Sequence, residues 1–356
     1  MVSPKHTIYV FGIQPLSFPR DLMFLRGMAE GGWNILESVH TPGRFNKYKN
    51  IITSASSLKK SDAVVYVSYL GNIVVPIVKI LSQKLVIYNA LNSMYESVIL
   101  DRGQYPKYSL HALLFWLMDF LAFRFADLIL LETEAQIDFV EKIFFVDRKK
   151  MIRVWTSADD EVFYPGLQKN PDEVFKVLFR GGFLPFVGLD IIIETARILE
   201  KENIQITLLG RGLLSEPLKK QLERQPLSNL TLCSEFLSPD DLRTYMLTHH
   251  LMLGQFGNHP RTQRTIANKH FEALALGIPI ITGNSRSIRE LFSHKETAFL
   301  VTCGDAQELA SAIKVLKNDI VLRNKLAISG RKLFLDRLSP TSLIEGVLGK
   351  IKTPSN

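Results

Sequence analysis

The sequence predicts an α/β protein of two Rossmann-like domains, each with a parallel sheet, facing one another across a cleft. Three observations lead there. Short apolar runs alternate with stretches of helical periodicity along the chain. Its 356 residues exceed what one ordinary core organises. The succession of strand, glycine turn and helix that fills the first half begins again near residue 172. The domains are therefore expected at 1–165 and 172–336, with a last helical piece, 337–356, packing back on the first.

Thr7 to Phe11 reads as the first strand, and the loop Gly12 to Pro19 carries Gly12, Pro15 and Pro19. Arg20 to Glu30 is helical and closed by Gly31-Gly32. Trp33 to Val39 is the second strand. Ala63 to Ser68 (AVVYVS), Leu85 to Tyr88 (LVIY) and Leu128 to Leu131 (LILL) are short runs of buried parallel-strand type. Helices lie between them, around Asn72 to Leu81 and Leu110 to Phe125. Within Arg153 to Pro165 a strand ends in a polar turn, whose Asp159 and Asp160 either cap a helical turn or line the cleft. Pro165, Gly166, Asn170 and Pro171 then form the connector.

The second half opens with Lys176 to Phe179, followed by Arg180-Gly181-Gly182 and a helix from Leu189 to Glu200. Ile204 to Leu209 is the next strand, closed by Gly210-Arg211-Gly212. Leu230 to Cys233 is another, and Asp240 to Leu247 is a helix capped by Ser238. From Leu253 to Phe292 the chain reads strand, polar loop, helix, buried strand, polar loop, helix. The first of these helices begins near Ala267 or Asn268, where asparagine is a good cap, and stops at Gly277. Two helices within Ser311 to Asp336 and one from Pro340 to Lys350 complete the chain.

Composition narrows the function. Hydrophobic residues make up 46% and charged residues 22%, an ordinary globular mixture. The net charge of +8 favours anionic partners: phosphorylated small molecules, nucleic acid or a membrane surface. No compact Lys/Arg block with interleaved aromatics is present, which argues against nucleic acid. Cys233 and Cys303 form no CxxC, and MVSPKHTIYVFG runs directly into a strand, so a reduced, cytoplasmic setting is expected. No run reaches the roughly 18 apolar residues of a membrane span. The nearest, Leu110 to Leu131, is broken by Asp119, Arg124 and Asp127. It reads as a core helix plus strand, or as an amphipathic helix apposed to the membrane.

No metal set is evident. His249 and His250 are adjacent and face different directions, and HExxH, Asp-x-Asp, GxSxG and P-loop patterns are absent. The strongest chemical signal is the loop carrying Arg261 and Arg264, which feeds the helix start near Ala267 and Asn268. A basic loop at a helix N-terminus holds anions, because free N–H groups and the helix dipole point there. Glu272, about one turn further in, is placed to accept hydrogen bonds from sugar hydroxyls; the plainer reading is a solvated glutamate on a capped surface helix. Gly181-Gly182 beside Arg180 marks a close backbone approach to a ligand or a simple tight turn. Gly12 ends the first strand at a crevice position, without the GxGxxG spacing of a dinucleotide loop. Gly210-Arg211-Gly212 lacks the third glycine of that loop, so an NAD(P)-dependent oxidoreductase is the weakest reading.

Three blocks resemble the retaining glycosyltransferases of the GT-B fold, family four: VLFRGGFLPFVGLDIIIETARILE, ITLLGRG and NKHFEALALGIPIITGNSRSIRELF. FADLILLETEAQIDF and SADDEVFYP are similar more weakly. The resemblance implies that the second domain binds a nucleotide sugar and the first a carbohydrate or lipid-linked acceptor, without cofactor or metal. Peripheral contact with the cytoplasmic membrane face is compatible with it. Glu272 matches the second of two glutamates that the family separates by seven residues, and would bind the ribose. Backbone at Ala267 and Asn268 would hold the diphosphate, with Gly12, Arg180, Gly181, Gly182 and Gly210 lining the site.

The chain also departs from the family pattern. Arg264 stands at the first glutamate, Gly182 and Val187 at the usual cationic pair, and Asn89 where a His or Asp faces the acceptor. Arg264 and Lys269 are the expected substitutes for the cations, and Glu96 the nearby carboxylate nominated for catalysis. A scaffold that binds nucleotide sugars but has lost catalysis is the alternative those departures raise.

Overall fold

The computed structural model describes residues 6–12, 16, 18–37, 44–166 and 174–352. Pro15, Asn170 and Pro171, expected in loops, lie outside them, as do residues 38 and 39 of the second strand. The chain forms two units, Met1–Thr156 with Ser339–Asn356, and Ser157–Leu338. Ala158 to Pro165 thus belong with the second unit, and the Asp159 carboxylate accepts from Glu161 N–H in a capped turn.

The first unit contains β1 (His6–Phe11), α1 (Pro19–Glu30), β2 (Trp33–Glu37), α2 (Arg44–Ser57), β3 (Val64–Val67) and α3 (Val74–Ser82). It continues with β4 (Val86–Leu91), α4 (Leu110–Phe125), β5 (Leu128–Leu131), α5 (Glu134–Phe144) and β6 (Met151–Arg153). Its sheet is parallel, in the order β2-β1-β3-β4-β5-β6. The order reverses between β1 and β3, the kind of switch point that opens a crevice beyond the strand ends. Strand side chains such as Val65, Val67, Ile87, Ile129 and Leu131 are fully buried because helices cover both faces.

The second unit contains β7 (Phe175–Arg180), α6 (Leu189–Ile198), β8 (Ile204–Leu209), α7 (Ser215–Arg224), β9 (Leu230–Cys233) and α8 (Pro239–Met246). Then follow β10 (Leu251–Leu253), α9 (Asn268–Leu276), β11 (Ile280–Gly283), α10 (Arg286–Arg289), β12 (Phe299–Val301), α11 (Ala306–Asn318) and α12 (Ile320–Arg337). The parallel order is β12-β11-β10-β7-β8-β9, reversing between β10 and β7. The two sheets confirm the α/β class with two Rossmann-like units. Among the described residues no helix is long and apolar enough to cross a membrane.

Among the helix starts that differ from the sequence reading are those of α9 and α11. Asn268 is the first residue of α9 rather than its cap; the cap is Ala267, in extended conformation and without a side-chain hydrogen bond. Gly277 ends α9 in left-handed conformation, as expected of a C-terminal glycine. α11 begins at Ala306, ahead of Ser311, because the Asp305 carboxylate caps Glu308 N–H.

The chain returns to the first unit through α13 (Pro340–Lys352), which packs on α1. The helices meet closely because α1 carries Gly27, where a Cβ would lie 2.1 Å from the Pro340 carbonyl oxygen. Alanine improves helix propensity by roughly 1 kcal/mol, but overpacking against backbone costs about 1–3 kcal/mol. Gly27→Ala is therefore expected to lower stability, read as an earlier midpoint in urea denaturation followed by circular dichroism.

Candidate nucleotide site

The site is built at the β7/β10 switch point of the second unit. Arg180 is the last residue of β7, and Gly181 follows with φ +142°, its N–H donating to Leu209 O. Gly210, with φ +152°, packs against it: a Cβ there would lie 1.9 Å from Gly181 O. The first two glycines of RGG and GRG thus interlock, which a side chain at Gly210 forbids. Gly182 has no left-handed requirement. Arg180, Gly181, Gly182, Gly210, Arg211 and Phe236 line a pocket of about 280 Å³.

α9 enters from beneath this loop. The Lys269 Nζ sits 4.2 Å from the centre of the Phe179 ring, and its Cε lies 3.1 Å from where a Gly181 Cβ would be. Glu272 projects one turn later, and its Oε1 is 3.1 Å from Arg180 Nη2. The second carboxylate oxygen, Oε2, is buried with no hydrogen-bond partner. A buried acceptor left unengaged costs about 1–3 kcal/mol, so an oxygen of this kind marks a place where a donor belongs.

The electrostatics follow from burial. Desolvation lowers the Lys269 ammonium to about 7; Arg180 pushes the same way, and Glu272 opposes both. Burial raises the Glu272 carboxyl, while Arg180 and Lys269 hold it down. Two cations and one carboxylate therefore crowd a dry space beneath a glycine loop, an arrangement suited to a ligand with phosphate at one end and hydroxyls at the other. Arg264, expected beside the helix start, sits in the preceding turn with its N–H donating to Arg261 O. The charges acting on Glu272 come from Arg180 and Lys269.

The loop between β10 and α9 is pinned by residues the sequence reading passed over. His270 is fully buried; its Nδ1 meets Ala267 O and its Nε2 meets Thr282 Oγ1, each at 2.9 Å. Burial pushes its pKa down to about 3, so the ring is neutral. Gln255 Nε2 donates to Thr265 O, and Ser287 Oγ donates to Thr262 O and Thr265 O. Thr262 Oγ1 donates to Phe186 O. Gly254 is required beneath them, because a Cβ would lie 2.3 Å from Thr282 Oγ1. These bonds fix Ala267 and the start of α9. Their partners come from separate elements, and no local spacing betrays them.

In the first unit, Gly12 is buried immediately after β1. Beside that strand lies a buried polar cluster. Arg20 Nε donates to Asn89 Oδ1 at 2.6 Å, and Arg20 Nη1 donates to Val154 O. The Asp21 carboxylate accepts from Tyr66 Oη and Asn89 Nδ2, each at 2.7 Å. Asp21, in the first turn of α1, is thus a buried acceptor. Glu96 lies in a π-helical turn, Glu96–Asp101, with no exposed surface, and accepts from Gln136 Nε2 at 2.7 Å. In this geometry the Glu96 carboxylate is buried and held by Gln136. Among the described residues no group of three or more His, Cys, Asp or Glu is placed to hold a metal ion.

With this geometry in hand, residues 165–333 match the profile of the family described as glycosyl transferases group 1. That match covers most of the second unit and somewhat under half of the chain. Over 148 residues the chain is 29% identical to the 2-deoxystreptamine N-acetyl-D-glucosaminyltransferase of Niallia circulans, covering 41% of this chain and 37% of that protein. Over 184 residues it is 27% identical to the lipopolysaccharide core biosynthesis glycosyltransferase LpsD of Rhizobium meliloti, covering 51% and 50%. The chain thus spans half or less of these relatives. The whole fold is similar to that of HepE from Anabaena in complex with UDP, with TM-score 0.71, 13% identity, and 97% and 99% of the two chains covered. It is also similar to sucrose-phosphate synthase from Thermosynechococcus elongatus, with TM-score 0.72, 14% identity, and 98% and 99% covered. The architecture is the GT-B fold.

Proposed function

We propose that this chain is a nucleotide-sugar-dependent glycosyltransferase of the retaining kind, working in glycan, glycolipid or envelope polysaccharide synthesis. The observation that carries the proposal is the unengaged Glu272 Oε2, buried beside Arg180 and Lys269. The ribose hydroxyls of a nucleoside diphosphate donate to that oxygen. The diphosphate lies at the start of α9, near Gly181 and Lys269, where α9 has no side-chain cap of its own. HepE forms a complex with UDP, and the match of the second unit to group 1 transferases supports a diphosphate donor here.

In the reaction, the bond between the anomeric carbon and the β-phosphate oxygen breaks. The acceptor oxygen bonds to that carbon from the same face, and its proton passes to the departing phosphate. Arg180 and Lys269 neutralise the charge that develops there. These two cations serve the role a divalent ion plays elsewhere, so we propose transfer without a resident metal; turnover unchanged by EDTA is the expected result. Acceptor binding falls to the first unit, and its chemistry rests on no residue identified above.

A second reading is a catalytically impaired scaffold. It is motivated by Asn89, whose amide is occupied by Arg20 and Asp21 and cannot act as a base. Donor hydrolysis over a panel of nucleotide sugars separates the two. Release of nucleoside diphosphate from one donor supports the transferase. Tight donor binding with no release from any supports the scaffold.

A further inference from the structure

The outer face of α4 is apolar in a way the fold does not use. Leu110, Leu113, Leu114, Leu117 and Leu121 recur at spacings that place them along one face. They are 80, 59, 53, 42 and 37% exposed. The opposite face already supplies the core: Ala112, Ala122 and Phe123 are buried, and Trp116 donates to Ile143 O and stacks on Phe120. Single exposed leucines are ordinary, but a contiguous stripe marks a surface meant to be covered. Beside the stripe a pocket of about 470 Å³ opens between Tyr95, Lys107, Tyr108, Leu110, Leu113 and Trp116.

Charge identifies the cover. From Arg102 to Phe125 the only carboxylate is Asp119, which is fully buried and accepts from Asn72 Nδ2 and Tyr95 N–H. Arg102 and Lys107 are exposed at one end of the stripe and Arg124 at the other. Tyr108, 94% exposed, stands beneath the Lys107 ammonium, an amphipathic ring at the rim. A leucine face bracketed by cations and tyrosine fits the boundary between anionic headgroups and acyl chains. A second copy fits less well. Parallel pairing of two α4 faces sets Lys107 against Lys107, and antiparallel pairing sets Lys107 against Arg124.

We propose that the α4 face docks on an anionic bilayer. The five leucines enter the acyl boundary, Arg102, Lys107 and Arg124 meet lipid phosphates, and the Tyr108–Trp116 pocket receives an acyl chain. The proposal stands on the first unit alone and does not depend on the nucleotide site. The test is co-sedimentation of the full chain with phosphatidylglycerol/phosphatidylcholine vesicles and with pure phosphatidylcholine vesicles. Binding is expected on the first, weaker in high salt, and about tenfold or more reduced by the double variant Leu113→Asp, Leu117→Asp. Lys107→Glu with Arg124→Glu is expected to abolish the preference for the anionic vesicles.

Thermal melting and nucleoside diphosphate titration of each variant should match the parent, since these side chains are exposed and lie outside the nucleotide site. Equal partition onto both vesicles, or partition unaffected by the leucine variant, overturns the proposal. So does a dimer that fails to bind vesicles and that the leucine variant makes monomeric, which would define a self-association face. Failure of the nucleotide titration in the parent protein strikes the proposed activity and leaves this surface standing.

Discussion

Glu272→Ala is expected to weaken binding of the preferred nucleoside diphosphate about tenfold to a hundredfold in isothermal titration. Hydrogen bonds to a charged group are worth about 1.5–3 kcal/mol, and each 1.4 kcal/mol is a factor of about ten. Glu272 already binds Arg180 through Oε1 and presents Oε2 with no partner, so ligand hydroxyls gain a bond without displacing one. Alanine removes the acceptor and leaves Arg180 and the buried Lys269 uncompensated, so a melting curve must accompany the titration. Unchanged affinity for UDP, GDP and ADP in a folded variant would detach the site from the nucleotide.

Lys269→Met is expected to reduce donor turnover about a hundredfold or more, the scale on which preorganised charge at a reacting group acts. Methionine keeps the stem that packs over Phe179 and removes the ammonium. The same residue gives a pH signature. Its folded pKa is lowered to about 7, so the cation is present below neutrality and is lost as pH rises through that value. An anionic ligand binds the charged form better. Diphosphate affinity of the unaltered protein should therefore fall between about pH 7 and 9, and Lys269→Met should be flat over that window. Parallel profiles for the two proteins would remove Lys269 from the diphosphate.

Much of the fold was readable because apolar runs had clear edges. Leu110–Phe125, Leu128–Leu131, Ile204–Leu209 and Leu230–Cys233 have the bounds that periodicity assigns them. Elements with thin apolar content escaped. In α2, Ile51 and Ala55 are buried among Ser, Thr and Lys, and in α7 Leu218 is the buried residue. β12 is three residues long, too short for a pattern.

The site divides the same way. Glu272 one turn into a helix that Gly277 closes is a local fact. The pairing of Arg180 with Glu272 depends on β7 lying beside β10, which no spacing announces. Asn89 was visible as a departure from a family pattern. Its capture by Arg20 and Asp21 needs β1, β3 and β4 side by side, so the sequence could not say what the asparagine does. The contact of Glu96 with Gln136 of α5 is another that no local spacing announces.

In the proposed site Glu272 holds the ribose of a nucleoside diphosphate. Its most direct test is calorimetric comparison of that ligand with its 2′,3′-dideoxy analogue, in the unaltered protein and in Glu272→Ala. About tenfold or greater discrimination against the dideoxy ligand is expected in the unaltered protein, and none in the variant. Equal affinity for the two ligands in the unaltered protein would contradict it.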